Sequence, residues 1–151
     1  MRKFLCYAIP IALCFAVGLL GSLLQSSALV EWYPYLVKSP LTPPAIAFPI
    51  AWTALYVLVG ASLGAMLVKG DVGLVKLWLL QLLLNFLWSA LFFGVRSPLL
   101  GLITILLLDI VVFAYIISAA GRRGLAMWLF VPYLLWLLFA TYLNGYIYVM
   151  N

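Results

Sequence analysis

The chain has 151 residues, of which 69% are hydrophobic and only 7% are charged. Soluble domains carry about 25% charged residues, so eight basic and three acidic side chains are too few to cover a soluble globular protein. The net charge of +5 does not indicate nucleic-acid binding, because the basic residues are scattered and form no stripe. The chain also has no histidine, which excludes imidazole-based catalysis and the usual zinc sites.

Five apolar stretches follow one another along the chain, each long enough for the roughly 20 residues that cross a hydrocarbon core. They do not alternate between polar and apolar residues, which argues against a membrane β-barrel. The sequence therefore predicts a single domain over residues 1–151, an all-α integral membrane protein with a bundle of five transmembrane helices. The predicted helices cover residues 4–25, 45–68, 74–93, 99–120 and 125–149. The last three connectors are short, which predicts that helices two to five pack as antiparallel sequential neighbours.

The first stretch is longer than the apolar core of a signal peptide, so we expect a retained helix rather than a cleaved leader. After it, residues 26–44 are rich in aromatic residues and proline. Proline restricts its own backbone and that of the residue before it. The segment is interpreted as a semi-rigid, lid-like loop over the outer mouth of the bundle. An interfacial loop anchored by its aromatic rings is an equal alternative.

The basic residues divide unequally between the two ends of such a bundle. Lys38 and Arg96 would lie at one end. Six would lie at the other, namely Arg2, Lys3, Lys69, Lys76, Arg122 and Arg123. Because cytoplasmic loops are enriched in Lys and Arg, the N-terminus is predicted to be cytoplasmic and the C-terminus outside.

Three predicted helices carry polar and aromatic residues on one face each. At helical spacing, the residues on a common face are Phe48, Trp52 and Tyr56 on the second helix, Trp78, Gln81, Asn85, Trp88, Ser89 and Phe92 on the third, and Tyr133, Trp136, Ala140 and Asn144 on the fifth. Lipid disfavours carboxamides, whereas a cavity could use them. The faces favour a flat-walled aromatic pocket for a large planar apolar ligand that stacks on indole rings. Helix packing through the same residues is an equally open alternative.

One ionisable residue, Asp109, falls in the middle of the fourth predicted helix. A carboxyl group at that depth is a candidate functional residue. A protonated carboxyl that hydrogen-bonds a partner helix is the plainer interpretation, and a proton relay is the alternative.

Four segments of the chain carry a recognisable pattern, taken in order. The first contains WY at 32–33, KSP at 38–40, PP at 43–44, Phe48 and WTALY at 52–56. The other three are QLLLNFLWS at 81–89, FFGVR at 92–96 and PYLLWLLFATYLN at 132–144. In these segments the sequence resembles the TspO/MBR family, which comprises bacterial tryptophan-rich sensory proteins and mitochondrial translocator proteins, or peripheral benzodiazepine receptors. The resemblance covers nearly all of the chain after the first helix.

The resemblance implies a five-helix bundle in a bacterial membrane, usually dimeric. It implies binding of benzodiazepine-type ligands and of protoporphyrin IX or a haem-like tetrapyrrole, with no obligatory cofactor. It implies a pocket lined by Trp52, Asn85, Trp88, Trp136 and Ala140. It also implies that some members break down protoporphyrin in light and oxygen, through the tryptophans that match Trp52 and Trp136. The mitochondrial sterol-recognition pattern ends on a basic residue, and residues 143–151 contain none, so sterol binding through it is doubtful.

These observations lead to a membrane receptor for tetrapyrroles as the first hypothesis. Trp52 and Trp136 would stack on the ligand and donate electrons to it, while Gln81 and Asn85 would hydrogen-bond it. The full set of expected ligand-binding residues is Phe48, Trp52, Tyr56, Gln81, Asn85, Trp88, Tyr133, Trp136, Ala140 and Asn144. The alternatives are a small transporter of porphyrins or lipids, against which the absence of repeats and titratable pairs argues, and a regulatory membrane scaffold.

Overall fold

A computed structural model describes residues 1–122 and 124–151. It contains five long helices: α1 Arg2–Glu31, α2 Ala47–Val68, α3 Val75–Ser89, α4 Pro98–Ala120 and α5 Leu125–Met150. The chain continues from α3 into a π-helical turn, Ala90–Gly94. With that turn included, all five helices are long and apolar enough to cross a membrane. The prediction of an all-α integral membrane protein with five transmembrane helices is confirmed.

The first helix is longer than predicted. It was expected to end near residue 25, but it continues to Glu31. Serines suggested a loop, yet a serine can remain in a helix by bonding to the preceding turn. Ser26 does so, because its hydroxyl donates to the Leu23 carbonyl at 2.8 Å. The connector therefore begins only at Trp32, and the predicted loop over residues 26–44 is a loop over residues 32–46 that contains one 3₁₀ turn, Tyr33–Tyr35.

The helices form a closed ring in the order α1, α2, α5, α4, α3 and back to α1. The expected pairs α3–α4 and α4–α5 are neighbours, but the prediction that α2 and α3 pack side by side is wrong. The short connector between them limits only the distance between their ends, whereas α2 is held against α1 and α5. Helices α2 and α3 meet through long side chains instead: the buried indole of Trp78 donates from Nε1 to the Val59 carbonyl at 3.0 Å.

Glycines bring α1 and α2 into close contact. A Cβ atom added at Gly60 would lie 2.6 Å from the Ile11 Cα atom, which is closer than real Cβ atoms approach a backbone. Gly64 lies in the same way against the Tyr7 side chain. Small residues permit such close backbone approach in membrane helices. In this chain they serve an interface within one bundle.

An ion pair lies at each end of the bundle. At one end Arg122 pairs with Asp71. At the other, Arg96 Nη2 lies 2.6 Å from Glu31 Oε2. The orientation prediction groups six basic residues together. Five of them, Arg2, Lys3, Lys69, Lys76 and Arg122, lie at the first end, and Arg123 lies outside the described residues. The side of the membrane that this end faces stays a prediction.

Candidate functional site

Helices α2 and α5 face each other through aromatic rings. Phe48, in the first turn of α2, packs edge-on against Trp136 with ring centroids 5.9 Å apart. One turn further along α2, Trp52 packs in the same way against Tyr133 at 6.3 Å. Trp52 also contacts Tyr56 at 5.5 Å. The structure therefore brings together the three aromatic residues that the sequence placed on one face of α2 and two of those that it placed on α5.

Helix α3 contributes two buried carboxamides that hydrogen-bond to the same tyrosine. Asn85 Nδ2 donates to the Tyr133 hydroxyl at 2.9 Å, and that hydroxyl donates to Gln81 Oε1 at 3.0 Å. The exposed fractions are 7% for Asn85, 1% for Gln81 and 1% for Tyr133. Their convergence is as predicted. However, these groups satisfy one another inside the bundle, so their contact with a ligand stays a prediction.

Two buried donors beside this network have no partner in the part of the chain that the structure describes. They are Gln81 Nε2 and Trp136 Nε1. Buried polar groups in proteins nearly always find a hydrogen-bond partner, so each exception calls for an explanation. Both atoms belong to predicted site residues. A ligand acceptor group, or the oxygen of a water molecule, would be stabilised by a hydrogen bond from either atom.

The Trp136 ring also lines the wall of a shallow apolar groove of about 420 Å³ between α2 and α5. Ala140, one turn further along α5, is half-buried and packs against the core. The groove's other lining residues are Ala51, Ala54, Leu55, Leu58, Pro132, Leu135 and Phe139. One indole thus contacts both the aromatic interior and a lipid-facing groove.

Trp88 and Asn144 belong to a second group, nearer the end of the bundle where α1 ends. Trp88 Nε1 donates to Asn144 Oδ1 at 3.0 Å, and Asn144 Nδ2 donates to the Pro98 carbonyl at 2.8 Å. The Trp88 ring stacks on Phe92 with centroids 5.4 Å apart. These bonds join α3, α4 and α5. The predicted site residues therefore form two adjoining groups rather than one continuous face.

Two aromatic residues of the loop complete the second group. Trp32 and Tyr33 pack inward against the π-helical turn. Trp32 lies edge-on to Phe92 at 5.5 Å, and Tyr33 lies against Phe93 at 5.7 Å. Burial raises the pKa of the Tyr33 phenol. Two adjacent aromatic residues in each segment, WY at 32–33 and FF at 92–93, were the sequence feature that could have predicted this contact.

The loop is also tied to the end of α5. The Ser39 hydroxyl and the Tyr142 hydroxyl are 2.9 Å apart. The Val37 amide donates to Asn151 Oδ1 at 2.9 Å. These contacts fix the loop at the end of the bundle that lies beside the Trp88 group, and the lid-like role stays a prediction.

Asp109 makes its hydrogen bond within the chain. Its Oδ2 atom accepts from the Thr141 hydroxyl at 2.7 Å, which joins α4 to α5. Its Oδ1 atom is buried and has no partner among the described residues. The bond agrees with the structural interpretation of this carboxyl group. Thr141 was not singled out from the sequence, because its role depends on how the two helices are rotated.

Comparisons with known proteins identify the family. The TspO/MBR family profile matches residues 10–150. The chain is 40% identical to the tryptophan-rich protein TspO of Chlorobaculum tepidum, over 99% of this chain and 98% of that protein. It is 40% identical to the protein of the same name from Archaeoglobus fulgidus, over 90% of each chain. It is 34% identical to the translocator protein of Homo sapiens, over 76% of this chain and 72% of that protein. The chain therefore belongs to the TspO/MBR family.

Proposed function

We propose that this protein is a membrane receptor or sensor for tetrapyrroles of the protoporphyrin IX type and for benzodiazepine-type ligands. Membership of the TspO/MBR family supports a sensory or receptor role, as do relatives named tryptophan-rich sensory protein and translocator protein. The proposed site lies between α2, α3 and α5. Half-buried rings of Trp52 and Trp136 would stack on the ligand.

The observation that carries the proposal is a pair of buried donors beside those rings, Trp136 Nε1 and Gln81 Nε2, which have no hydrogen-bond partner among the described residues. Leaving a buried donor unpaired costs about 1–3 kcal/mol. A planar ligand with carboxylate or carbonyl acceptors would recover that free energy while its apolar faces remained among indole and phenol rings. The groove beside Trp136 supports entry from the membrane, where an apolar ligand concentrates.

The proposal includes a light- and oxygen-dependent breakdown of bound porphyrin. Oxygen would be the oxidant. The photo-excited ring would take one electron from the Trp52 or Trp136 indole and pass it to oxygen as superoxide. The indole radical cation would then take an electron back from the porphyrin, and superoxide would combine with the oxidised ring, so that the net reaction adds O2 to the porphyrin. Both indoles are half-buried, and the Trp52 ring contacts Tyr133 while the Trp136 ring contacts Phe48. Such chemistry needs no histidine, which suits this sequence.

A titration of detergent-purified protein with protoporphyrin IX tests the proposal. Tryptophan quenching in the dark measures binding, and porphyrin absorbance under illumination measures breakdown. Trp136→Phe keeps most of the stacking area but removes the Nε1 donor, so it should weaken porphyrin binding by about 1–3 kcal/mol and slow the light-driven loss at saturating porphyrin. Trp52→Phe should retain binding and slow the loss. Trp128→Phe is the matched control, because Trp128 lies on the same helix and is 65% exposed.

The outcomes separate the alternatives. Saturable binding with loss that depends on Trp52 and Trp136 supports the whole proposal. Saturable binding with the same loss in all variants removes the electron-donor role and leaves a receptor. Absence of saturable binding contradicts the receptor function, and porphyrin flux into protein-containing liposomes would favour a transporter.

A further inference from the structure

Two connectors lie side by side at the end of the bundle where α1 begins. Arg122, after α4, pairs with Asp71 in the connector between α2 and α3. Its guanidinium also lies beside Gly73, since a Cβ atom added there would be 2.6 Å from Arg122 Nη2. The Lys69 ammonium reaches in the other direction, because a Cβ atom on Gly124 would lie 3.2 Å from Lys69 Nζ. Each of the two connectors thus places a basic side chain beside a glycine of the other connector.

Positive charge is concentrated at this end. Among the residues that the structure describes, it carries five of the seven basic residues but only one of the three acidic residues, Asp71. Within residues 1–122 and 124–151, the hydrogen bonds and ion pairs of the Asp71 carboxylate are to Arg122 and to the Gly73 amide. Over the same residues, Lys69 and Lys76 form no ion pair. Their ammonium groups are therefore available to an external anion.

At the opposite end of the bundle, by contrast, the basic side chains already have partners within the chain. Arg96 pairs with Glu31 at 2.6 Å. Lys38 Nζ donates to the Pro34 carbonyl at 3.1 Å and to the Leu36 carbonyl at 2.9 Å. The cations described at that end are thus already paired or hydrogen-bonded inside the chain.

We propose that Lys69 and Lys76 form a binding site for the phosphate headgroup of an anionic phospholipid. Lys69 directly follows α2 and Lys76 is in the first turn of α3, so both ammonium groups lie where transmembrane helices end. Basic residues immediately beside a membrane span attract anionic lipid, and lysine binds phosphate as a point charge.

The surroundings of the two lysines favour a lipid over a soluble phosphate. Val72 and Leu125, in and after the two connectors, are 67% and 63% exposed. Apolar side chains beside the cations suit a ligand that carries acyl chains as well as a phosphate. The Asp71–Arg122 pair holds the two connectors together and so fixes the position of Lys69 against Gly124.

Native mass spectrometry of the purified protein tests this proposal. The probe is an equimolar mixture of dioleoyl phosphatidylglycerol and dioleoyl phosphatidylcholine, which share acyl chains and differ in headgroup charge. Phosphatidylglycerol adducts should predominate. Lys69→Gln and Lys76→Gln should each reduce their retention about fivefold, the factor that corresponds to one basic residue near an anionic surface.

Lys38→Gln is the matched control, because it removes a lysine whose hydrogen bonds are made inside the chain at the opposite end. It should leave the preference for phosphatidylglycerol unchanged. Equal retention of the two lipids by the wild type, or equal losses in Lys38→Gln and Lys69→Gln, would overturn the proposal.

Two further measurements identify the source of the phosphate and the state of the protein. Glycerol 3-phosphate at millimolar concentration should not displace phosphatidylglycerol. Displacement would show that the site binds a soluble phosphate and would refute the lipid assignment.

Near-ultraviolet circular dichroism should be unchanged in both lysine variants, because their side chains are not part of the core. A changed spectrum would mean that the lysines stabilise the fold, which contradicts a site for external lipid.

Discussion

Tyr133→Phe tests whether the polar network at the centre of the bundle stabilises the fold. The substitution removes one oxygen atom and keeps the ring, so the packing against Trp52 and Phe130 is preserved. It eliminates two hydrogen bonds, those to Asn85 Nδ2 and Gln81 Oε1. It also leaves both carboxamides buried without that partner.

The expected loss is about 1–2 kcal/mol in the free energy of unfolding. A hydrogen bond between membrane helices contributes about 0.6 kcal/mol on average and up to about 1.7 kcal/mol, because the unfolded chain in lipid also finds partners. Two average bonds therefore give roughly 1 kcal/mol, and the orphaned carboxamides raise the cost further.

The assay is unfolding in mixed micelles with a rising fraction of sodium dodecyl sulfate, followed by circular dichroism. The control is Tyr35→Phe, which makes the same chemical change at a residue that is 82% exposed. If Tyr133→Phe and Tyr35→Phe unfold at the same detergent fraction, the network does not stabilise the fold and the reasoning is refuted.

The same variant separates two roles of the carboxamides in the proposed ligand site. If Asn85 donates to the ligand, Asn85→Leu should weaken protoporphyrin binding by about 1–2 kcal/mol, the scale of a hydrogen bond in a membrane bundle. Tyr133→Phe should not weaken it, since the carboxamides are then released from the tyrosine. Weaker binding in both variants would show that the intact network, rather than one amide, is needed.

Three further predictions concern the rest of the bundle. Gly60→Ala should destabilise the protein by about 1–3 kcal/mol, because its Cβ atom would meet the Ile11 backbone, whereas Gly145→Ala, with its nearest atom 3.9 Å away, should have little effect on the same unfolding assay. Asn144→Leu should cost about 1–2 kcal/mol, since it breaks the hydrogen bonds that join α5 to α3 and to the start of α4; an unchanged unfolding midpoint would contradict this. The Gly73 backbone N–H and the Arg122 guanidinium hold the pKa of the Asp71 carboxyl below its ordinary value of 3.8. The ionised carboxylate should therefore contribute its full stability above pH 3.8, and this contribution should decrease as the pH falls through the lowered pKa. Asp71→Asn should lack this acid dependence when unfolding is followed against pH.

The helices could be predicted from sequence because the signal is simple. A membrane-spanning helix is marked by an apolar run of about 20 residues, and its end by a short polar or glycine-containing connector. Each signal depends on several residues together, so no single residue decides the prediction. The end of α1 was missed because Ser26 is polar yet bonds within the helix. The ring order was missed because a short connector between α2 and α3 limits the distance between their ends but not which other helices they contact.

The residues of the candidate site could be predicted as faces but not as pairs. Helical spacing placed Gln81 and Asn85 on one side of α3, and the structure has both there. That spacing contains no information about the rotation of α5, so neither the shared contact with Tyr133 nor the bond from Thr141 to Asp109 could be derived. Trp88 and Asn144 were predicted as ligand contacts, and the structure adds that they bond to each other.

The distribution of satisfied and unsatisfied polar atoms determines what the proposed site would select. Most of its polar groups bond within the bundle, so a ligand gains nothing from them unless it first breaks a bond. Gln81 Nε2 and Trp136 Nε1, which have no partner within the described part of the chain, differ from these groups, because any acceptor placed against them would recover a cost already present. The proposed site would therefore reject an apolar ring without acceptors more strongly than a ring of slightly different size, since the missing partner would leave donors unpaired. The aromatic walls would supply affinity for a flat ligand, and the two donors would supply the preference for one that carries carboxylate or carbonyl groups.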